Sequence, residues 1–300
     1  MPVQVSLEIA GVRLAVGCPD PIVLNPPPPA YASFLMTVEE SARDVDIRIG
    51  VEVGGLPGTE GLTPVFDTEQ TWSMMTDGED YFLGLYPAAP DEEPLWIARF
   101  ARDVSRVHVF CGHGLVSEEG GTTRLETPVR YPLDQLLLMY YLAPRQGVLM
   151  HAAGVQLHGK GFIFPGRSGA GKSTIARCLE DCSAAILLSD DRIVLRRIGG
   201  EYTIFGTPWP GEAGIAENRC APLNGIFLLR HGEEDRIDPV TPQRAVERLL
   251  PVLSIPWYDR ETMPMILEFL DGMLTAVPVY DLHFRPTAEV AHVLDQFASA

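Results

Sequence analysis

Gly166-Arg167-Ser168-Gly169-Ala170-Gly171-Lys172-Ser173-Thr174 satisfies the spacing G-x-x-x-x-G-K-[ST], and each residue type in it suits the holding of phosphate. Glycines at 166, 169 and 171 let the backbone turn tightly, so that its N–H groups converge on phosphate oxygens. A helix opening at Lys172 adds the positive end of its dipole. Lys172 is then expected on the β- and γ-phosphates, and the Ser173 hydroxyl on Mg²⁺. The stretch from Gly166 to Thr174, with Arg167, Ser168 and Ala170 inside it, is the expected nucleotide site, with ATP and Mg²⁺ as its ligands.

A second acidic feature follows at Ser189-Asp190-Asp191. Carboxylates at the C-terminal end of a strand beside a phosphate loop stand where Mg²⁺ ligands and a catalytic base belong. Two adjacent carboxylates cannot point the same way along an extended strand. If the strand has just ended, one can face the metal and the other the acceptor hydroxyl. A turn-capping role for the pair is the structural alternative. His151, beside apolar residues, reads on its own as a packed core histidine.

The elements that must position these residues are legible around them. Gly161-Phe162-Ile163-Phe164-Pro165 is a short apolar run that reads as a buried strand entering the loop. Ile175, Cys178, Leu179 and Cys182 recur at helical spacing behind it. Ala184-Ala185-Ile186-Leu187-Leu188 reads as the buried strand that ends in the acidic pair. Only eighteen positions separate Lys172 from Asp190, room for one helix and one strand, so the spacing allows the two strands to be neighbours with their ends side by side. Val148 to Leu157 predicts a further strand, folded back through His158-Gly159-Lys160-Gly161. Two antiparallel strands leading into a phosphate loop differ from the all-parallel wrapping of common nucleotide-binding folds, and no G-x-G-x-x-G fingerprint supports a dinucleotide fold.

Ahead of these, residues 1–130 predict a β-rich domain, either an accessory domain or one that recognises the substrate. Val3 to Ile9 and Val12 to Val16 alternate like a hairpin about Gly11, and Asp46 to Val53, Tyr81 to Leu85, Leu95 to Phe100 and Val107 to Phe110 predict more strands. Leu133 to Leu142 predicts a buried helix that opens the second domain, residues 131–300. Beyond the acidic pair come a strand at Gly225 to Leu229, helices over Thr241 to Leu253 and Glu261 to Met273, a strand over Val277 to Phe284, and a last helix capped by Thr287.

Composition sets the outer bounds. The chain has 300 residues, 46% hydrophobic and 21% charged, an ordinary globular balance. Its net charge of -17, from 40 acidic against 23 basic residues, argues against nucleic acid or an anionic membrane as the main partner. No apolar run approaches bilayer length, and Met1 to Glu8 lacks the marks of a signal peptide. Five cysteines, an odd number, suit a reducing compartment. A cytoplasmic protein is expected, and a homo-oligomer is left open.

Residues 148–191 resemble the catalytic domain of the HPr kinase/phosphorylase family. The matching pieces are the apolar strand carrying His151, the hairpin, the loop from Gly166 to Thr174, and Leu188-Ser189-Asp190-Asp191 at a short spacing. The resemblance implies an α/β fold, a P-loop kinase domain of the HPr kinase/phosphoenolpyruvate carboxykinase type, here preceded by the β-rich N-terminal domain. It also implies that His151 and Lys172 are active-site residues, that Ser173 binds Mg²⁺, that Asp190 accepts the proton of a substrate serine, and that Asp191 supports the metal. Two departures stand out. The family has histidine-glycine where this chain has His151-Ala152, and its E-x-R-G signature, which carries a second metal-binding glutamate, is absent. Glu212 is the substitute in that region, with Glu217 behind it.

The function expected from these features is ATP- and Mg-dependent phosphoryl transfer to a hydroxyl, a serine of a peptide or small protein. The alternative is a nucleotide-binding regulatory module without kinase activity. A carboxykinase-like decarboxylating phosphotransferase is a weaker third. Arg230, Arg244 and Arg285 are candidates to neutralise transferred phosphate.

Overall fold

Alternating apolar residues and a left-handed turn build the first element pair. Val3–Ile9 (β1) and Val12–Gly17 (β2) pair antiparallel, turning at Ala10 and Gly11, which have φ of 55° and 70°. A computed structural model describes residues 1–37, 44–69, 71–87 and 93–299. It is a mixed α/β chain with several sheets and few helices, and it divides into two units, Met1–Tyr141 and Leu142–Ala300.

In the first unit the strands that follow are Val23–Leu24 (β3), Ile47–Val53 (β4), Thr63–Asp67 (β5), Trp72–Thr76 (β6), Asp80–Leu85 (β7), Trp96–Ala101 (β8), Val107–Cys111 (β9), Val116–Glu119 (β10) and Thr122–Leu125 (β11). Six of these join β1 and β2 in one eight-stranded sheet, in the order β1-β2-β4-β9-β8-β7-β6-β5. β10, β11 and β3 form a small second sheet. Leu7, Leu14, Ile49, Val109 and Phe100 are buried on one face, each contributing about 1.5–3 kcal/mol relative to exposure. The helix Leu133–Leu142 (α1) occupies the predicted residues, and its Tyr140 ring lies 5.3 Å from Tyr81 and 5.9 Å from Phe100. The Tyr141 hydroxyl donates to Asp46. The division therefore falls after Tyr141, not near residue 130.

The second unit contains Gly147–Leu157 (β12), Lys160–Pro165 (β13), Lys172–Glu180 (α2), Ala185–Ser189 (β14), Arg192–Ile198 (β15), Glu201–Phe205 (β16), Cys220–His231 (β17), Arg236–Pro239 (β18), Pro242–Leu249 (α3), Thr262–Ala276 (α4), Val279–Phe284 (β19) and Glu289–Ser299 (α5). The predicted helix over 241–253 is shorter than expected. It ends at Leu249 and passes into a single tight turn, because Pro251 cannot donate the next helical hydrogen bond.

β12 and β17 are long enough to take different partners along their length. β12 pairs with β15 through Gly147 to His151 and with β13 and β14 through Ala152 to Leu157. β17 pairs with β16 through Cys220 to Pro222, with β13 through Leu223 to Ile226, and with β19 from Ile226 onward. The pairings β13-β12-β15-β16-β17 thus close into a ring through β13–β17. Ile163, Ile193, Ile204 and Ile226 share one core with residues of α3 and α4. Phe164, Phe227 and Phe284 share another with residues of α2 and α5.

One expectation about the site is corrected by this topology. β13 and β14 are not neighbours. β12 runs between them, antiparallel to both, and so His151 emerges between the ends of the loop strand and the acidic strand.

Candidate functional site

Backbone hydrogen bonds knit these three strand ends together. The Gly166 N–H donates to the His151 carbonyl at 3.1 Å, and the Ala152 N–H to the Asp191 carbonyl at 2.9 Å. His151 and Arg192 are register partners. The loop then turns into α2 at Gly171, whose φ is 99°. A Cβ there would lie 3.0 Å from the Phe284 ring, and one on Gly166 would lie 2.5 Å from the Ala170 Cβ. Both positions therefore need glycine for space, and Gly171 for its conformation as well.

A cavity of about 280 Å³ opens at this junction, lined by His151, Ser168, Gly169, Gly171, Lys172, Ser173, Thr174, Asp191, Gly211, Glu212 and His231. Gly166, Arg167 and Ala170 line a separate hollow on the other side of the loop. Lys172 is buried, with Nζ donating to the Arg167 carbonyl at 3.3 Å and 3.9 Å from Asp191 Oδ1. Burial pushes its pKa down, against the pull of Asp191. Asp191 Oδ1 lies 2.6 Å from His151 Nε2, and its Oδ2 lies 3.6 Å from Arg192 Nη1. Burial alone would raise the Asp191 carboxyl, but the His151 hydrogen bond and the charges of Arg192 and Lys172 outweigh it and hold the pKa below the ordinary range.

Asp190 sits elsewhere. It is fully buried, and its Oδ1 accepts from Gly211 N–H at 2.8 Å and Ile215 N–H at 3.2 Å, while Oδ2 accepts from Ala213 N–H at 2.7 Å. The expectation that Asp190 meets the acceptor hydroxyl is therefore corrected. Its oxygens are spent on three amides and it does not line the cavity, whereas Asp191 does. The physical reason is the sharp turn between β14 and β15, which sends adjacent side chains opposite ways.

That buried carboxylate has a visible consequence. It anchors the segment from Gly211 to Ile215 and so brings Glu212 to the cavity rim. Glu217 is exposed and does not line the cavity; its N–H donates to the Leu188 carbonyl at 2.9 Å. Gly211 belongs to the same arrangement, since a Cβ there would lie 2.8 Å from Asp190 Oδ2.

Ser173, Asp191 and Glu212 are hard oxygen donors of the kind Mg²⁺ takes together with phosphate oxygens. Among the described residues no group of three or more His, Cys, Asp and Glu could hold a metal by itself. The three flagged arginines lie away from the cavity: Arg230 and Arg244 face Asp281 at 2.7 and 3.6 Å, and Arg285 faces Asp235 at 2.8 Å.

Two residues of the site were not singled out from sequence. Arg192 follows the acidic pair directly, and its Nε and Nη1 are buried without a hydrogen-bond partner. His231 ends β17, its ring 5.4 Å from that of Phe284. The available signal for His231 was its place just past the apolar run Gly225 to Leu229, at the end of a strand parallel to β13.

Among the described residues no helix is long and apolar enough to cross a membrane. No curated protein matches the chain. Among solved structures, the Hpr(Ser) kinase/phosphatase from Coxiella burnetii is similar over 50% of this chain and 88% of that chain, at 12% identity and a TM-score of 0.29. Residues 133–263, a stretch containing every residue that lines the cavity, match the model of the family described as SynChlorMet cassette protein ScmC.

Proposed function

We propose that the second unit binds a Mg-nucleotide at the Gly166–Thr174 loop and transfers its terminal phosphoryl group to a hydroxyl, a serine of a peptide or small protein. The observation that carries this reading is the convergence of Lys172, Ser173, Asp191 and His151 on one cavity at the mouth of a glycine loop. A module that only bound nucleotide would need no base beside the phosphates.

In this reading the loop amides and the start of α2 hold the phosphates, and Lys172 neutralises them. Phosphate in the cavity would draw the Lys172 pKa back up. Ser173 and Glu212 would hold Mg²⁺, with Asp191 a further oxygen donor on the same cavity, and the ion would supply charge neutralisation on the phosphate oxygens. Asp191, kept ionised by Arg192 and Lys172, orients the acceptor hydroxyl and takes its proton. His151 fixes one Asp191 oxygen and so aims the other. Asp190 is a positioning residue: it acts through the amides that carry Glu212. Catalysis is then mainly positioning and charge stabilisation.

The test is transfer from γ-labelled ATP with Mg²⁺ to peptides and proteins of a source-cell lysate. Label that disappears with Asp191→Asn supports the kinase. Tight nucleotide binding by both proteins with no label moves the reading to a regulatory module, and no binding by either rejects the site.

A further inference from the structure

The outward face of the large sheet in the first unit carries a hollow of about 570 Å³. Its floor lies where the strands carry little side chain. Gly17 of β2 and Gly50 of β4 are register partners, and Ala15 is beside them. A Cβ on Gly50 would sit 3.3 Å from His108 Nδ1 and 3.5 Å from the Met1 sulfur, so a side chain there would crowd the floor.

Its walls are basic. Arg48, Arg99 and Arg106 line it, in a chain whose net charge is -17. Asp80, 5% exposed, is the one carboxylate in the wall among the described residues. It accepts from Arg99 Nε at 2.7 Å and from Arg106 Nη2 at 3.3 Å, so a single buried anion contacts two cations through one nitrogen of each. Two carboxylates flank the wall: Asp77 lies 4.0 Å from Arg99, and Glu52 lies 3.1 Å from His108. Arg48 is exposed and makes no ion pair among the described residues.

We infer that this hollow binds an acidic peptide segment, its carboxylates on Arg48, Arg99 and Arg106 and its apolar side chains on Val3, Ala15 and Phe110. Guanidinium forks match carboxylates in pairs of hydrogen bonds. Apolar floor and basic wall lie side by side, as an extended chain with alternating side chains requires. β1 is the edge strand of the sheet and its Val3 lines the hollow, so an extended segment can enter from the sheet margin. Arg99 is held by Asp80 at 2.7 Å, which lowers the entropy lost on binding. The inference concerns the first unit alone and stands whether or not the second unit transfers phosphate.

The test uses the full-length protein and a short fluorescein-labelled peptide of alternating glutamate and valine, followed by fluorescence anisotropy. The expected result is saturable binding that weakens as salt rises and falls about tenfold in Arg48→Glu, with the thermal midpoint of that variant unchanged. Lys172→Ala should bind the peptide as the wild type does, which keeps this result apart from any failure at the phosphate loop. The inference is overturned if no binding is seen, if glutamine in place of glutamate binds equally, or if Arg48→Glu binds unchanged. Loss of peptide binding in Lys172→Ala, or displacement of the peptide by stoichiometric inorganic phosphate, would overturn it too, the first by moving the peptide to the loop and the second by making the hollow a small-anion site.

Discussion

Asp190 satisfies three amides with two oxygens, and an asparagine can accept with only one of them. Asp190→Asn should therefore cost about 1–3 kcal/mol, read as a lowered urea midpoint, and weaken activity through the displaced Glu212 segment. Asp191→Asn should act differently: a smaller loss of urea stability, from its contacts with His151, Lys172 and Arg192, and retained nucleotide binding, with transfer reduced by about 10²–10⁴-fold. Asp191 also gives stability a pH signature. Its folded pKa lies below the ordinary value, so its contribution is complete above the unfolded carboxylate pKa and is lost as pH falls through the folded one. The difference in thermal midpoint between wild type and Asp191→Asn should shrink with acidification, and a gap that widened would contradict the ion pairing described. Lys172 carries the converse test. Its pKa is lowered by burial and phosphate would restore it, so nucleotide binding at alkaline pH should take up protons, measurable by calorimetry in buffers of different ionisation enthalpy.

At the scale of elements, the loop and its helix were legible because their chemistry is local: glycine where space or φ demands it, lysine and serine at the first helical turn. Gly171→Ala should abolish nucleotide binding and lower stability by about 1–3 kcal/mol, since a φ of 99° and the Phe284 ring both oppose a Cβ. Circular dichroism and nucleotide titration would check it. The apolar run Leu133 to Leu142 was legible for the same local reason. What periodicity does not encode is which strands become neighbours. β12 entering between β13 and β14 depends on long-range pairing, and the split in direction between Asp190 and Asp191 depends on the turn that β15 imposes. The short strands β5, β6, β10, β11 and β18 carry too little alternation to stand out. Glu212 was legible as a candidate, while the carboxylate that positions it was assigned another role.

For the molecule as a whole, burial sorts the thiols. Cys111 is pushed up to about 12, first by burial and then by the nearby Cys18, and both are buried, whereas Cys220 is exposed. A thiol-reactive chromophore should modify Cys220 rapidly in the native protein and reach Cys18 and Cys111 only on unfolding. Early reaction of either buried thiol would show that the first unit opens locally.

The ring of β13, β12, β15, β16 and β17 bears on how the chain reaches this state. Hairpins such as β15–β16 join neighbours in sequence and can form early, but the closing pair joins Gly161 to Leu223, sixty-two positions apart. Loop-closure entropy places such a contact late and makes it slow. β13 leads directly into Gly166, so the phosphate loop is held on both sides only after that last pairing. In a refolding experiment, competence to bind nucleotide should return with the slowest phase, after most secondary structure has been recovered.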